Sequence, residues 1–182
     1  MIIPILETAH LILRPLREAD FADYFEYAQD PAVASGGMWT PYKSEDDARA
    51  DFTRLISFYP RGFMWWALEE KSDGKMIGRC QLDEYDPDDA RAEISYALHQ
   101  RYWRRGYSSE AVERIMRYGF EDLMINRISA TVFPDNIASA RILEKAHMIR
   151  EGCLRQYRAT RGAPEDVHLY AVLRAEWQAG RQ

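Results

Sequence analysis

The spacing of hydrophobic positions predicts a strand and two helices in the first part of the chain. Leu11–Leu16 has the composition of a strand, and apolar and aromatic residues recur at helical spacing over Asp20–Ala28. The segment Pro31–Pro41, which contains two glycines and a tryptophan, predicts a loop. Ser44 precedes a second helical pattern and is a suitable N-cap for it.

The middle of the chain has the pattern of an antiparallel meander. Three strand candidates, Phe63–Glu69, Lys75–Leu82 and Ala92–Leu98, are joined by short turns rich in Asp, Pro and Gly. This order predicts a mixed α/β fold, with a central sheet and helices packed on it. The remaining predicted elements are a helix that starts after Arg105 and Gly106, a strand over Arg127–Phe133, a helix over Asn136–Ala146, and closing strands over Met148–Tyr157 and Asp166–Leu173.

Composition indicates one globular domain. Of the 182 residues 47% are apolar, which is enough for a hydrophobic core without disulfide bonds or a structural metal. No repeat or low-complexity linker divides the chain. We expect a single domain over Met1–Gln182, with its core between about Thr8 and Glu176.

Cysteine and histidine positions argue against a bound metal. Cys80 and Cys153 lack the spacing of a zinc or redox pair, and the four histidines are scattered singly. The sequence also has neither a signal peptide pattern nor a membrane-spanning stretch, so we expect a cytoplasmic protein without a membrane partner.

The net charge hides a segregation of acids and bases. The chain carries 24 Lys and Arg against 29 Asp and Glu, a formal charge of −5, which argues against a nucleic-acid partner. Asp83–Glu93 holds six acids and one base, whereas His99–Arg117 holds five arginines and two glutamates. The acidic segment either attracts a cationic amine or is a solvated turn.

The segment Trp103–Ser109 lies between a predicted strand and a predicted helix. Free N–H groups at a helix start bind anions, Gly106 permits close backbone approach, and Arg104 and Arg105 can bond to phosphate. The segment therefore has the features of a pyrophosphate cradle, with a solvated basic turn as the alternative. It is neither a Walker loop nor a dinucleotide fingerprint.

Two further positions are candidates for chemistry. Helical spacing places Ser139 on the inward face of its helix with Ala138, Ile142 and Leu143, where it is either a reactive hydroxyl or a packed small residue. Strand alternation places Glu93 with Ser95 on one face, where it is either a general base or a surface residue paired with Arg91 or Arg79. Asn136 is most simply explained as an N-cap.

These segments occur in the order found in a known family. The sequence resembles the GCN5-related N-acetyltransferases, and within them the branch that includes the ribosomal-protein N-terminal alanine acetyltransferases. The resemblance spans nearly the whole chain and implies the acyl-CoA N-acyltransferase fold, with a central, mostly antiparallel sheet flanked by helices. Its matching segments are Leu11–Leu16, Ala92–Tyr96, Tyr102–Ala111, Asn136–Lys145 and Leu169–Leu173.

The resemblance implies acetyl-CoA as the acetyl donor, with no metal. In this family the loop matching Trp103, Arg104, Arg105, Gly106, Tyr107, Ser108 and Ser109 wraps the pyrophosphate. The strand end matching Tyr96, Ala97, Leu98 and His99 pairs with the pantetheine arm, which Asn136 also contacts. Trp103 and Ser108 depart from the family pattern of Gln/Arg-x-x-Gly-x-Gly/Ala, and Arg104 stands where glycine is frequent, which implies a stiffer loop.

The resemblance also implies roles in catalysis. The amine acceptor, a small molecule or a protein N-terminus, would attack the thioester directly, with Glu93 as the base. Leu143 stands where many members have a tyrosine acid, so Ser139 becomes the candidate acid and a further contact of the cofactor. A homodimer is expected from the family alone.

Two questions stay open at this point. The aromatics Trp39, Tyr42, Trp65 and Trp66 form either an acceptor wall or part of the core. The alternative function is an acyl-CoA-binding or regulatory module that has lost turnover, which the departures at Leu143 and Arg104 favour.

Overall fold

Eight strands form one continuous mixed sheet. The structure, a computed structural model, describes residues 3–37, 39–57, 64–160 and 162–180. The strands are β1 (Leu6–Glu7), β2 (Leu11–Arg14), β3 (Met64–Glu70), β4 (Met76–Asp86), β5 (Arg91–Leu98), β6 (Arg127–Val132), β7 (Ile149–Arg158) and β8 (Glu165–Leu173). Their order in the sheet is β1-β2-β3-β4-β5-β6-β8-β7, and only β5 and β6 are paired in parallel.

Helices cover both faces of this sheet. Three helices, α1 (Phe21–Ala28), α2 (Pro31–Gly37) and α3 (Glu45–Ser57), supply one apolar cluster. Three others, α4 (Tyr107–Glu121), α5 (Ile137–Lys145) and α6 (Arg174–Ala179), supply the second. Side chains along β3 alternate between the two clusters: Trp65 packs with the first cluster and Trp66 with the second. The predicted mixed α/β fold with a mostly antiparallel sheet is confirmed.

The parallel pair β5–β6 is short and then splays open. The chain crosses from β5 to β6 through α4, as a parallel connection requires. The ladder pairs Arg91 with Arg127, Ala92 with Ile128 and Glu93 with Ser129. Within the described chain the pairing stops there, although β5 continues to Leu98 and β6 to Val132. A gap therefore opens in the middle of the sheet directly after Glu93.

On its other side β5 is held closely to β4. A Cβ atom added to Gly78 of β4 would lie 2.3 Å from the Ala97 carbonyl oxygen and 2.9 Å from the Leu98 Cα atom. Only glycine fits that approach without a shift of one strand. The half of β5 beyond the short ladder is thus positioned by β4.

The predicted loop over Pro31–Pro41 is wrong in its first part, which forms α2. The Asp30 side chain accepts a hydrogen bond of 2.8 Å from the Ala32 N–H, and Pro31 occupies the first turn, where its missing N–H costs nothing. The structure also adds β1 and α6, which the hydrophobic pattern did not predict. The other predicted elements are found within a few residues of their expected bounds, and Phe63 lies outside the described residues.

Candidate functional site

A cavity of about 440 Å³ lies where β5 leaves β6, in the size range of small-molecule sites. Its walls come from α2, from the end of β5, from the loop before α4 and from the first turns of α5. It brings together eight of the residues that the sequence suggested: Tyr96, Ala97, Leu98, Trp103, Arg104, Ser108, Asn136 and Ser139.

A second cavity of about 550 Å³ lies between α4 and α5 and shares Ile142 with the first. Gly106 and Ser109, also suggested by the sequence, line this second cavity with Lys145 and His147. The two cavities therefore form neighbouring compartments on either side of the α4 N-terminus.

The N-terminus of α4 carries free hydrogen-bond donors. The first helical bond runs from the Glu110 N–H to the Gly106 oxygen at 3.0 Å, and no described side chain caps the helix. The N–H groups of Tyr107, Ser108 and Ser109 make no hydrogen bond with the described part of the chain. Such a turn is an anion-binding site by geometry and by the helix dipole.

The loop that leads into α4 is fixed by its side chains. The indole N–H of Trp103 donates to the Leu98 carbonyl oxygen at 2.7 Å and ties the loop to the end of β5. Gly106 and Arg104 both have left-handed backbones, with φ of 86° and 62°. This conformation explains why glycine suits the position of Arg104, and an arginine there carries strain of about 1 kcal/mol.

Two predicted loop residues line neither cavity with their side chains. The Arg105 guanidinium lies 5.3 Å from the centre of the Tyr102 ring. The Tyr107 side chain is only 8% exposed and donates to Glu70 Oε1 at 3.3 Å inside the core. The Tyr107 side chain is engaged in the core, which leaves its backbone N–H for a ligand, whereas the Arg105 side chain is exposed. That both residues bind the cofactor stays a prediction.

Asn136 and Ser139 are placed by the start of α5. The Asn136 Oδ1 atom accepts from the Ser139 N–H at 3.1 Å, which confirms the N-cap, and its Nδ2 atom donates to the Gly36 oxygen of α2 at 3.4 Å. The Ser139 Oγ atom lies 2.7 Å from the Tyr96 hydroxyl across the gap. Leu143 is buried in the core at 1% exposure, whereas Ala138, predicted to face inward, is exposed on the cavity wall.

Glu93 lies at the mouth of the gap, on the face opposite to Tyr96. Its Oε1 atom accepts from the Thr131 hydroxyl of β6 at 2.8 Å. Burial raises the pKa of the Glu93 carboxyl above its ordinary value, although the Thr131 hydrogen bond and the charge of Arg158 act in the opposite direction. Pairing of Glu93 with Arg91 or Arg79 was the alternative. Arg91 instead lies between 3.5 and 4.0 Å from Glu84, Asp86 and Asp89, and in the part of the chain that the structure describes no ion pair joins Arg79 to Glu93.

The sequence did not single out a polar cluster beside Glu93. Asp83, the β4 partner of Glu93, accepts hydrogen bonds of 2.9 Å from Trp65 Nε1, 2.8 Å from Gln81 Nε2 and 2.7 Å from Ser95 Oγ. The alternation Gln81, Asp83 in β4 and Glu93, Ser95 in β5 was the available signal. The cluster makes this face of the sheet polar next to the gap.

Among the described residues, no group of three or more His, Cys, Asp or Glu side chains could hold a metal ion. No described helix has the length and apolar character needed to cross a bilayer.

The fold and the site define the class of protein, an α/β protein with a ligand-sized cleft between two parallel strands and a free helix N-terminus beside it. A sequence model of the acetyltransferase (GNAT) domain matches residues 10–149. The chain belongs to this GNAT acetyltransferase family and is an acyltransferase.

Its relatives carry matching names. The chain is 32% identical over 172 residues to the uncharacterized N-acetyltransferase YoaA of Bacillus subtilis (strain 168), covering 94% of this chain and 97% of the relative. It is 27% identical over 129 residues to the ribosomal-protein-serine acetyltransferase of Escherichia coli (strain K12), covering 71% of this chain and 72% of the relative. The crystal structure of a putative acetyltransferase from T. thermophilus superposes with a TM-score of 0.86 at 28% identity, covering 98% and 94% of the two chains. The resemblance to GCN5-related N-acetyltransferases and to the ribosomal-protein branch is thereby confirmed.

Proposed function

We propose that this chain transfers the acetyl group of acetyl-CoA to a primary amine, on a small molecule or a protein N-terminus. The observation that carries the proposal is the free α4 N-terminus placed between two neighbouring cavities, one of which enters the gap between β5 and β6. A long ligand with a pyrophosphate at its centre has this shape and charge distribution.

Each part of the donor has a matching surface. The free N–H groups at Tyr107, Ser108 and Ser109 would hold the pyrophosphate, with Arg104 beside them. The backbone of β5 beyond Glu93 would bind the amide-containing arm, because strand edges form hydrogen bonds with extended chains. The cavity that contains Lys145 and His147 would take the nucleotide end.

The chain's own residues would manage the two proton transfers. Acetyl-CoA supplies an acetyl group activated as a thioester. The amine nitrogen bonds to the acetyl carbon, the carbon–sulfur bond breaks, and the Glu93 carboxylate takes the amine proton directly or through water. The Ser139 hydroxyl, oriented by Tyr96 at 2.7 Å, would give a proton to the departing sulfur. Its own proton is then restored through the Tyr96 hydroxyl or from water.

A second candidate function is an acyl-CoA-binding module without efficient turnover. Leu143, in the place of the acid of many family members, is buried in the core and supplies no proton. This module would bind acetyl-CoA and release its thiol no faster with an amine than without one.

The deciding experiment combines binding and turnover. We expect calorimetry to detect acetyl-CoA binding and a panel of primary amines to accelerate release of the CoA thiol. Glu93→Gln should abolish most of the amine-dependent rate and keep acetyl-CoA binding. Glu84→Gln is the matched control, because Glu84 lies on the neighbouring strand with its side chain 66% exposed. If the wild type binds acetyl-CoA but releases the CoA thiol no faster with amines, the binding module is favoured. If Glu93→Gln turns over as fast as the wild type, Glu93 is not the base.

A further inference from the structure

Arg79 carries a positive charge that has no direct partner among the described residues. It lies in the middle of β4, and its guanidinium carbon is 5.2 Å from the centre of the Trp39 ring and 5.9 Å from that of Trp65. The side chain is only partly exposed. Its nitrogen atoms make no hydrogen bond and no ion pair with any residue that the structure describes. A partly buried guanidinium normally has such partners, because its desolvation is costly.

The acidic groups around Arg79 are already engaged. Asp51 accepts hydrogen bonds from the Tyr42 hydroxyl and pairs with Arg54 on α3. Asp83, four residues along β4, is occupied by its three donors. The Tyr24 and Tyr42 hydroxyls bond to each other at 2.7 Å. The positive charge at Arg79 is therefore not balanced by a carboxylate in contact with it.

Arg79 lies beside the proposed reaction site. It is paired with Ala97 of β5, which lines the cavity at the gap. It belongs to the same sheet face as Trp65 and Asp83, which is the face of Glu93. The strand rise places Arg79 and Glu93 about 13 Å apart along the sheet, so the two side chains can contact opposite ends of one small molecule.

A second arginine near Glu93, Arg158, also lacks a hydrogen-bond partner for a buried nitrogen atom. The Arg158 Nε atom is buried and has no hydrogen-bond partner, and the Arg158 charge acts on the Glu93 carboxyl. By contrast, two acids at the β4–β5 turn, the half-buried Asp86 and the exposed Asp89, lie around Arg91. The face beside the gap thus offers the positive charges of Arg79 and Arg158. Three of the six acids that the sequence suggested as attractors of a cationic amine, Glu84, Asp86 and Asp89, instead lie around Arg91.

We propose that the acceptor amine carries an anionic group, a carboxylate or a phosphate, and that Arg79 binds this group. The inference rests on the proposed acetyl transfer. A guanidinium forms two parallel hydrogen bonds with either group, and the indoles of Trp39 and Trp65 hold it in place and keep water away from it. Arg79 would then determine which amines are acetylated without touching the reacting atoms.

The test compares primary amines that differ only in the anionic group. The panel contains glycine and glycinamide, glycylglycine and its amide, 2-aminoethyl phosphate, and a diamine as the cationic reference. We expect the wild type to have a kcat/KM for a carboxylate or phosphate amine at least about tenfold above that of its neutral or cationic counterpart, as charged hydrogen bonds contribute. The carboxylate and phosphate arms identify which anion is preferred.

Arg79→Gln should lower kcat/KM for the preferred amine by about 10- to 100-fold and leave neutral amines and the KM for acetyl-CoA unchanged. Arg79→Lys, which keeps the charge but loses the planar fork, should lie between the two. Arg49→Gln is the matched control: its guanidinium also lies on an aromatic ring, 3.7 Å from the centre of Phe21, but its side chain is 52% exposed on α3. We expect it to behave as wild type.

The outcomes separate this inference from the proposed function. If the wild type acetylates the whole panel without preference for anionic amines, the role of Arg79 is overturned but acetyl transfer stands. The same conclusion follows if Arg79→Gln lowers kcat/KM equally for all amines. Failure to bind acetyl-CoA would overturn the proposed function instead. Calorimetry with the amines alone tests Arg79 independently of turnover: the anionic amine should bind the wild type and not Arg79→Gln, and equal binding of an acid and its amide would refute the inference.

Discussion

The contact between Tyr96 and Ser139 can be tested by removing one oxygen atom at a time. The two hydroxyl oxygens lie 2.7 Å apart, and the Tyr96 hydroxyl also donates to the Ser139 carbonyl oxygen at 3.3 Å. Tyr96→Phe deletes only this hydroxyl. Because a neutral hydrogen bond contributes about 0.5–1.5 kcal/mol net, we expect the free energy of unfolding to fall by about 1 kcal/mol. Urea unfolding, with its slope unchanged, measures this loss.

The same substitution should slow catalysis. Without Tyr96 the Ser139 hydroxyl is free to rotate, and we expect kcat to fall about tenfold, which corresponds to about 1.4 kcal/mol of the barrier. Ser139→Ala should lower kcat at least as much. The double variant should be no slower than Ser139→Ala alone, because both changes remove one shared interaction. Release of the CoA thiol at saturating substrates gives kcat for all variants.

A control and a refutation complete this experiment. Tyr118→Phe removes a phenol hydroxyl from α4, on the side where its ring contacts Trp66 at 5.7 Å between centres, and should leave kcat unchanged. Purely additive effects, with the double variant about a hundredfold slower than wild type, would show that Tyr96 and Ser139 act independently. Wild-type activity in Tyr96→Phe would exclude the orienting role.

Three further predictions concern pH, the loop and the sheet. As the proposed base, Glu93 must lose its proton before it can accept one from the amine, and burial raises its pKa. We therefore expect kcat/KM to rise with pH through that raised pKa. Glu93→Gln should lose this rise, and an identical pH profile in the variant would assign the rise to another group. Arg104→Gly and Arg104→Ala should both weaken acetyl-CoA binding in calorimetry. Arg104→Gly should be more stable than Arg104→Ala by about 1 kcal/mol, because the φ of 62° at this position favours glycine. Equal melting temperatures of the two variants would contradict the backbone strain. Gly78→Ala should lower the free energy of unfolding in urea by about 1–3 kcal/mol, since its Cβ would lie 2.3 Å from the Ala97 oxygen, and an unchanged midpoint would mean that β4 and β5 separate easily.

Periodicity in the sequence was sufficient to predict most of the fold. The alternation of Glu93 and Ser95 with Ile94 and Tyr96 predicts two faces of β5. In the structure Ile94 and Tyr96 pack in the second apolar cluster, whereas Glu93 and Ser95 lie beside Asp83 on the other face. Helix α2 was missed although Asp30 and Pro31 carry an N-terminal signal, because its glycines were interpreted as loop residues. Local chemistry thus determines most elements, and the error lies where two local signals conflict.

The contacts of the site depend on distances that no local pattern contains. Tyr96 and Ser139 are 43 positions apart and meet only because β5 and α5 lie on opposite sides of the gap. Arg79 is likewise unremarkable in a strand until the indole of Trp39, which follows α2, is placed over it. Such contacts arise from the packing of separate elements, which spacing along the chain does not report.

The three-residue ladder between β5 and β6 gives the sheet an internal edge. Backbone groups of β5 beyond Glu93 that point toward β6 have no ladder partner in the described chain, as on an outer strand. A ligand arm lying in the gap would act as a ninth, non-protein strand and join the two halves of the sheet. Ligand binding would then also link the two halves of the sheet, β1 to β5 and β6 to β8. The sheet should therefore be most rigid at its centre only while the ligand is bound.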